Sequence, residues 1–170
     1  DQSFELRWND TAGIQQILIA ENAARQGGVL TPVPSQLIQF GGDAAETFNG
    51  SNNQLGDHLY GGSGNDTLNG QDGNDYLEGN ADADKLYGGD GNDTLLGGAG
   101  DDDQKGDAGT DSLLGGIGAD TLDGGVDADI LYGGDGADRL DGGTGSDFLY
   151  GGDGVDSYVF ASGWGSEARS

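Results

Sequence analysis

Eleven aspartates stand nine residues apart, at Asp66, Asp75, Asp84, Asp93, Asp102, Asp111, Asp120, Asp129, Asp138, Asp147 and Asp156. Each closes a glycine-rich turn, as in LYGGDGNDTLLGG over residues 86–98. A carboxylate at the end of a turn whose backbone can swing its carbonyl oxygens inward suits a hard cation such as Ca²⁺, which takes six to eight oxygen ligands. Paired aspartates could also serve acid/base chemistry, but metal loops account for the unbroken spacing without a second cause.

From Gly61 to Val159 the period of nine holds over eleven units without an insertion. Position one is glycine in every unit, from Gly61 to Gly151, and position six is aspartate in every unit. Position eight is leucine in nine units, Tyr158 in the last and Gln104 in the fifth. Position four is glycine except at Asp82 and Asp127, and position two is replaced at Gln71, Asn80 and Asp107. Asn and Asp tolerate left-handed backbone, so the turns should survive, and Asp82 and Asp127 are read as geometric or solvated. The fifth unit, GGAGDDDQK, should hold the weakest strand, because Gln104 stands where its neighbours bury leucine.

The three residues that follow each turn, such as Thr94-Leu95-Leu96, are too few for a helix but enough for a short strand with its middle side chain inward. One such strand cannot bury itself, so the units must stack into a solenoid with a thin shared core.

The unit reads GGxGxDxUx, where U is a large apolar residue, and resembles the calcium-binding nonapeptide of the RTX family. The resemblance implies an all-β chain: a right-handed parallel β-roll with two nonapeptides per coil, and ions held between loops of adjacent coils. Repeat n would then share its ion with repeat n+2, so that Asp93 shares ions with the loops of Asp75 and Asp111. One edge would carry Asp66, Asp84, Asp102, Asp120, Asp138 and Asp156, and the other the remaining five, giving about nine Ca²⁺ ions between loops. Carbonyls carried over as ligands are those of Gly62, Gly64, Gly73, Gly89, Gly91, Gly98, Gly100, Gly109, Gly116, Gly118, Gly125, Gly134, Gly136, Gly143 and Gly145.

Composition agrees. The 170 residues include 37 glycines and only 33% hydrophobic residues, so an ordinary close-packed core is not expected. A net charge of −25 excludes nucleic acid as a partner and invites cations. Within residues 61–159, 22 Asp and one Glu face two Lys and one Arg, a net of −20, so an array without metal repels itself. We therefore expect it to fold as calcium binds. With no cysteine, disulfide and thiolate-metal chemistry are absent.

The strict array is flanked by an irregular lead-in over 41–60, which keeps Glu46 and Asp57 near acidic positions and Phe48 and Leu59 near apolar ones. Residues 1–40 read as a cap or the tail of a preceding domain. There FELRW alternates like a strand, while GIQQILIAENAARQGG has the helical spacing of Ile14, Ile17 and Leu18. At the far end SYVFASGWG supplies Tyr158, Phe160 and Trp164, which should close the core, and residues 160–170 read as a C-terminal cap whose GSEARS should fray. The chain starts without Met and runs only eleven residues past its last repeat, which reads as a piece of a longer protein.

No enzyme is expected in this chain. His58 is the one histidine, and HExxH and GxSxG are missing. No apolar run is long enough to span a membrane, and DQSFELRWND has no signal-peptide character. The resemblance implies a secreted or cell-surface location, export by type I secretion machinery, and covalently attached toxin, hydrolase or adhesin domains. It leaves open a secretion-and-folding module or a rigid adhesin spacer.

Overall fold

The computed structural model describes residues 4–8, 15–20, 25–26, 29–30, 35–160 and 168–169, with side-chain environments over 36–160. Every regular element among them is a strand. Before the array lie β1 (Phe4–Trp8), β2 (Gln15–Ala20), β3 (Arg25–Gln26), β4 (Val29–Leu30), β5 (Ser35–Phe40) and β6 (Thr47–Asn49). The roll continues with β7 (His58–Ser63), β8 (Thr67–Asp72), β9 (Tyr76–Ala81), β10 (Lys85–Asp90), β11 (Thr94–Ala99) and β12 (Asp103–Ala108). It ends with β13 (Ser112–Ile117), β14 (Thr121–Val126), β15 (Ile130–Gly136), β16 (Arg139–Asp141), β17 (Phe148–Gly154), β18 (Ser157–Val159) and β19 (Ala168–Arg169).

From β5 onward, successive strands belong to different sheets. One sheet runs β1-β2-β5-β7-β9-β11-β13-β15-β17-β19 and the other β18-β16-β14-β12-β10-β8-β6, with β3-β4 a separate antiparallel pair. Within the roll each strand pairs in parallel with the strand two units away, as in Thr94↔Ser112 and Lys85↔Asp103. Two nonapeptides therefore make one coil of a right-handed parallel β-roll.

Two local expectations are corrected. Most roll strands are longer than three residues: β11 covers TLLGGA, because strand pairing continues through positions one to three of the next unit, whereas β6, β16 and β18 keep three residues. Between β11 and β12 only positions four to six are left to the loop. The helix expected over residues 13–28 is replaced, where the chain is described, by strand β2, antiparallel to β1 and β5. Ile17-Leu18-Ile19 fits either period, and β-branched residues beside a waiting sheet edge favour the strand. The strand expected at FELRW is β1.

Alternation turns positions eight and one inward and positions seven and nine outward, as in the buried–exposed pattern of β10. Position eight builds the core: Leu59, Leu68, Leu77, Leu86, Leu95 and their successors to Leu149 form a column at most 1% exposed, headed by Phe48. Tyr158 packs against that column and stacks on Phe160 at a centroid distance of 6.4 Å, closing its far end. Trp164 lies outside the described residues. Ala168–Arg169, expected to fray, pairs with β17.

Gln104 interrupts the column yet is fully buried, and β12 pairs with both β10 and β14. Its Nε2 donates to the Leu114 carbonyl at 2.7 Å, while its Oε1 has no partner.

Candidate metal centre

Each loop is shaped by its glycines. Positions two and four lie in the left-handed region in every unit except at Gly145. Residues that replace glycine there adopt it too: Gln71 (φ 82°), Asn80 (φ 79°), Asp107 (φ 72°), Asp82 (φ 75°) and Asp127 (φ 76°). That backbone costs a non-glycine residue on the order of 1–2 kcal/mol, which the stacked coils sustain. Asp82 also shapes the turn through its side chain, whose Oδ2 accepts from the Gly64 N–H at 3.0 Å.

Position one is glycine for a different reason. It faces inward without a left-handed φ, and a Cβ on Gly88 would overlap Asp93 Oδ2 and approach the Gly106 carbonyl oxygen. The same pairing recurs at Gly70 with Asp75 and Gly88, and at Gly106 with Asp111 and Gly124.

The position-six aspartates stack along the two edges. From Asp66 to Asp147 all are at most 3% exposed. One oxygen of each joins adjacent coils: the Asp75 N–H donates to Asp93 Oδ1 at 2.8 Å, and the Asp93 N–H to Asp111 Oδ1 at 2.8 Å. On the other edge Asp84 donates to Asp102 and Asp102 to Asp120 in the same way. The loops of Asp75, Asp93 and Asp111 are thus neighbours, as are those of every n and n+2 pair along the array.

The second oxygen has no such partner. Oδ2 of Asp66, Asp75, Asp84, Asp93, Asp102, Asp111, Asp120, Asp129, Asp138 and Asp147 is buried without a hydrogen bond. A bare carboxylate oxygen out of water is costly, and the Gly106 carbonyl oxygen borders the same Cβ-sized space at Gly88 as Asp93 Oδ2. Burial, first, and then neighbouring aspartates push these groups up, against the backbone N–H that holds them down. Asp84, Asp93, Asp120 and Asp129 reach about 7, and Asp75 and Asp111 about 6. Asp66, Asp102, Asp138 and Asp147 move in the same direction. A cation between carboxylate and carbonyl removes both penalties.

Among the described residues, no three His, Cys, Asp or Glu side chains converge as a metal site. A six- to eight-coordinate ion must therefore draw on backbone carbonyls. Those of positions two and four run along the edges: Gln71 O lies beside Gly89, and Gly73 O beside Gly91. The position-one carbonyls, which the sequence did not single out, border the same space: Gly106 O and Asp93 Oδ2 both approach the place a Cβ would take on Gly88. The signal was present, since position one is the only glycine never replaced in the array.

The first coil ends differently. Asp57 Oδ1 accepts from the Leu37 N–H at 2.7 Å, and its Oδ2 accepts from the Ser51 N–H at 2.6 Å and the Ser51 hydroxyl at 2.8 Å. Glu46 caps the other edge through Gly42, whose N–H donates to Oε2 at 3.0 Å. His58 lies on an outer face, its ring 5.6 Å from that of Tyr76.

A two-sheet parallel roll whose edges carry half-satisfied aspartates and inward carbonyls is the architecture of a cation-binding repeat module. The RTX calcium-binding nonapeptide repeat family matches residues 40–77, 51–86, 69–103, 105–140 and 132–163, and the chain belongs to that family. Between 40 and 163 only Gln104 falls outside these matches. No curated protein and no solved structure is matched by the chain. The repeat module binds calcium and is a structural rather than a catalytic domain.

Proposed function

We propose that calcium is held by the position-six aspartates Asp66 to Asp156 and the position-two and position-four carbonyls, with about nine ions between successive loops. The observation that carries this reading is the row of buried Oδ2 atoms without a hydrogen bond. Each is a ligand atom already paid for in desolvation. Residues 41–60 serve as lead-in coils to the array of 61–159, residues 1–40 as a cap or the tail of a preceding domain, and 160–170 as the C-terminal cap.

Metal binding and folding are one event here. Without the ion, a chain with a net charge of −25 would have to bring its carboxylates together bare, and the thin leucine column does not offset that cost. In a calcium-poor cell interior the array stays unfolded and passes through type I secretion machinery; in extracellular calcium it folds and supports attached toxin or hydrolase domains. What supports this order is that the ladders of the array join strands eighteen residues apart, as in Thr94↔Ser112 and Lys85↔Asp103, so backbone pairing begins only once a full coil has closed.

The test is a calcium titration followed by circular dichroism and calorimetry. Disordered signal in chelator, converting cooperatively to β-structure with several ions bound per chain, is the expected result. A β-spectrum unchanged by exhaustive chelation would overturn the coupling.

A further inference from the structure

We propose that Glu46 starts the ion row of its edge one coil before the strict array, holding a further Ca²⁺ together with the loop of Asp66, while the opposite edge starts at Asp57 on protein donors alone. The proposal rests on the position-six reading above and extends it to a residue of another type outside the nine-residue period.

The spacing hides this unit. Glu46 stands 20 residues before Asp66, where the array has 18, because the intervening segment 50–60 is longer than a nonapeptide. Strand pairing absorbs the surplus: Thr47↔Thr67, Phe48↔Leu68 and Asn49↔Asn69 are in register, and Phe48 heads the leucine column. GGDAAETFN, residues 41–49, is therefore a unit of the roll with glutamate at position six.

Its backbone repeats the contacts of the array. The Glu46 N–H donates to Asp66 Oδ1 at 2.7 Å, as that of Asp75 does to Asp93. A Cβ on Gly41 would overlap Glu46 Oε2 and the Gly61 carbonyl oxygen, the pairing found at Gly88 with Asp93 and Gly106. A Cβ on Gly62 would meet the Gly42 carbonyl oxygen, and one on Gly64 that of Ala44, so the rows of position-two and position-four carbonyls continue into this coil.

The side chain is only half satisfied. Glu46 is 8% exposed, and while its Oε2 accepts from Gly42, its Oε1 is buried without a hydrogen bond, as is Asp66 Oδ2. The added methylene lets glutamate reach back to its own turn for the donor that an earlier coil would supply. A buried carboxylate oxygen without a donor is costly. The groups that would share its ligand, Asp66 Oδ2 and the Gly42 and Ala44 carbonyls, are all acceptors, which suits a hard cation rather than a water. At Gly50 the same cradle forms from Asp57 Oδ2 and the Gly70 carbonyl oxygen, but Ser51 already donates twice to that carboxylate oxygen. Neither Gly42 nor Ala44 takes the left-handed backbone of the array turns, so the Glu46 site should be the weakest of its row and fill last.

Native mass spectrometry of the full chain at saturating calcium counts the ions, with circular dichroism on the same samples. Glu46→Gln should keep the β-spectrum and bind one ion fewer than the unaltered chain, whereas Glu46→Asp and Asp57→Ala should keep the full count. A full count in Glu46→Gln, or an equal loss in Glu46→Asp, overturns the site, and a lost ion in Asp57→Ala overturns the difference between the edges. Asp93→Ala separates this site from the reading beneath it: a full count there overturns the position-six reading itself, while a reduced count there beside a full one in Glu46→Gln overturns the Glu46 site alone. A second measurement needs no substitution that could unfold the first coil. The other position-six residues from Asp57 onward are aspartates, so ¹³C-labelled glutamate reads this site by itself. The Glu46 carboxylate resonance should move in a calcium step that follows the folding transition, and a resonance that stays still once folding is complete overturns the site.

Discussion

Asp57 and Asp93 occupy equivalent places in the roll and are treated oppositely. Both are buried, and the N–H of each donates to the carboxylate one coil on, Asp75 and Asp111 respectively. Asp57, at the first coil, has both oxygens filled by Leu37 and Ser51 from outside the period. Asp93, inside the array, keeps Oδ2 bare beside a carbonyl. At Asp57 the chain supplies protein donors to both oxygens; within the repeat it supplies a donor to one oxygen only. The repeat cannot do otherwise, since a donor built into every unit would displace the ion from every loop.

The largest effect that separates the two regions is pH in the absence of metal. Six interior aspartates sit at about 6 to 7 in the folded roll, above the ordinary carboxylate value of ~3.9. A raised folded value means their contribution is fully present below the unfolded value and is lost as pH rises through about 6 to 7. Chelated protein should therefore gain β-structure as pH is lowered from 8 toward 4, followed by circular dichroism. With calcium the direction reverses, because protons and metal compete for the same oxygens, and the titration midpoint should move to higher calcium as pH falls.

Next in size is the loss of one interior carboxylate. Asp93→Ala should lower the calcium stoichiometry measured by calorimetry and split the folding transition, since the loops of Asp75 and Asp111 lose their shared neighbour. Asp57→Ala should leave the stoichiometry of the strict array unchanged and destabilise the calcium-loaded roll by ~1–3 kcal/mol, the cost of orphaning buried backbone donors. Equal loss of ions from both variants would erase the distinction between the regions.

A smaller effect is expected from Ser51→Ala. It removes the hydroxyl from Asp57 Oδ2 but leaves the backbone donor, so about 1 kcal/mol of stability should go, read by thermal unfolding in calcium. Calorimetry will show whether the first coil then takes an additional ion, as the interior coils would suggest. Smallest is Gln104→Leu, which should gain up to ~1 kcal/mol by removing a buried unpartnered oxygen and completing the leucine column, at the loss of the bond to Leu114.

Much of this was legible because it repeats. Leu95 is inward and Asp93 in a loop for the same reasons as their counterparts nine residues away, so the period revealed both without any coordinate. Strand length was less legible, because Gly88 and Gly89 look like a turn but belong to strand β10, Gly89 with a positive φ. Residues 13–28 were misread where they are described, because Ile17 and Leu18 fit two periods and only the edge of β5 selects one. Gln104 announced itself as an exception, though not the bond to Leu114 across the core.

By itself the amino-acid sequence determined the nine-residue unit, the inward leucine, the acidic loop and the need for a cation, because each is a local consequence of residue type and spacing. Tertiary structure alone decided which aspartate oxygen is satisfied and which is bare, that position-one carbonyls border the space beside the bare one, and that Ser51 fills Asp57 at the first coil. These depend on which residues coil closure brings together across 18 positions or from outside the repeat, and local periodicity carries no record of that.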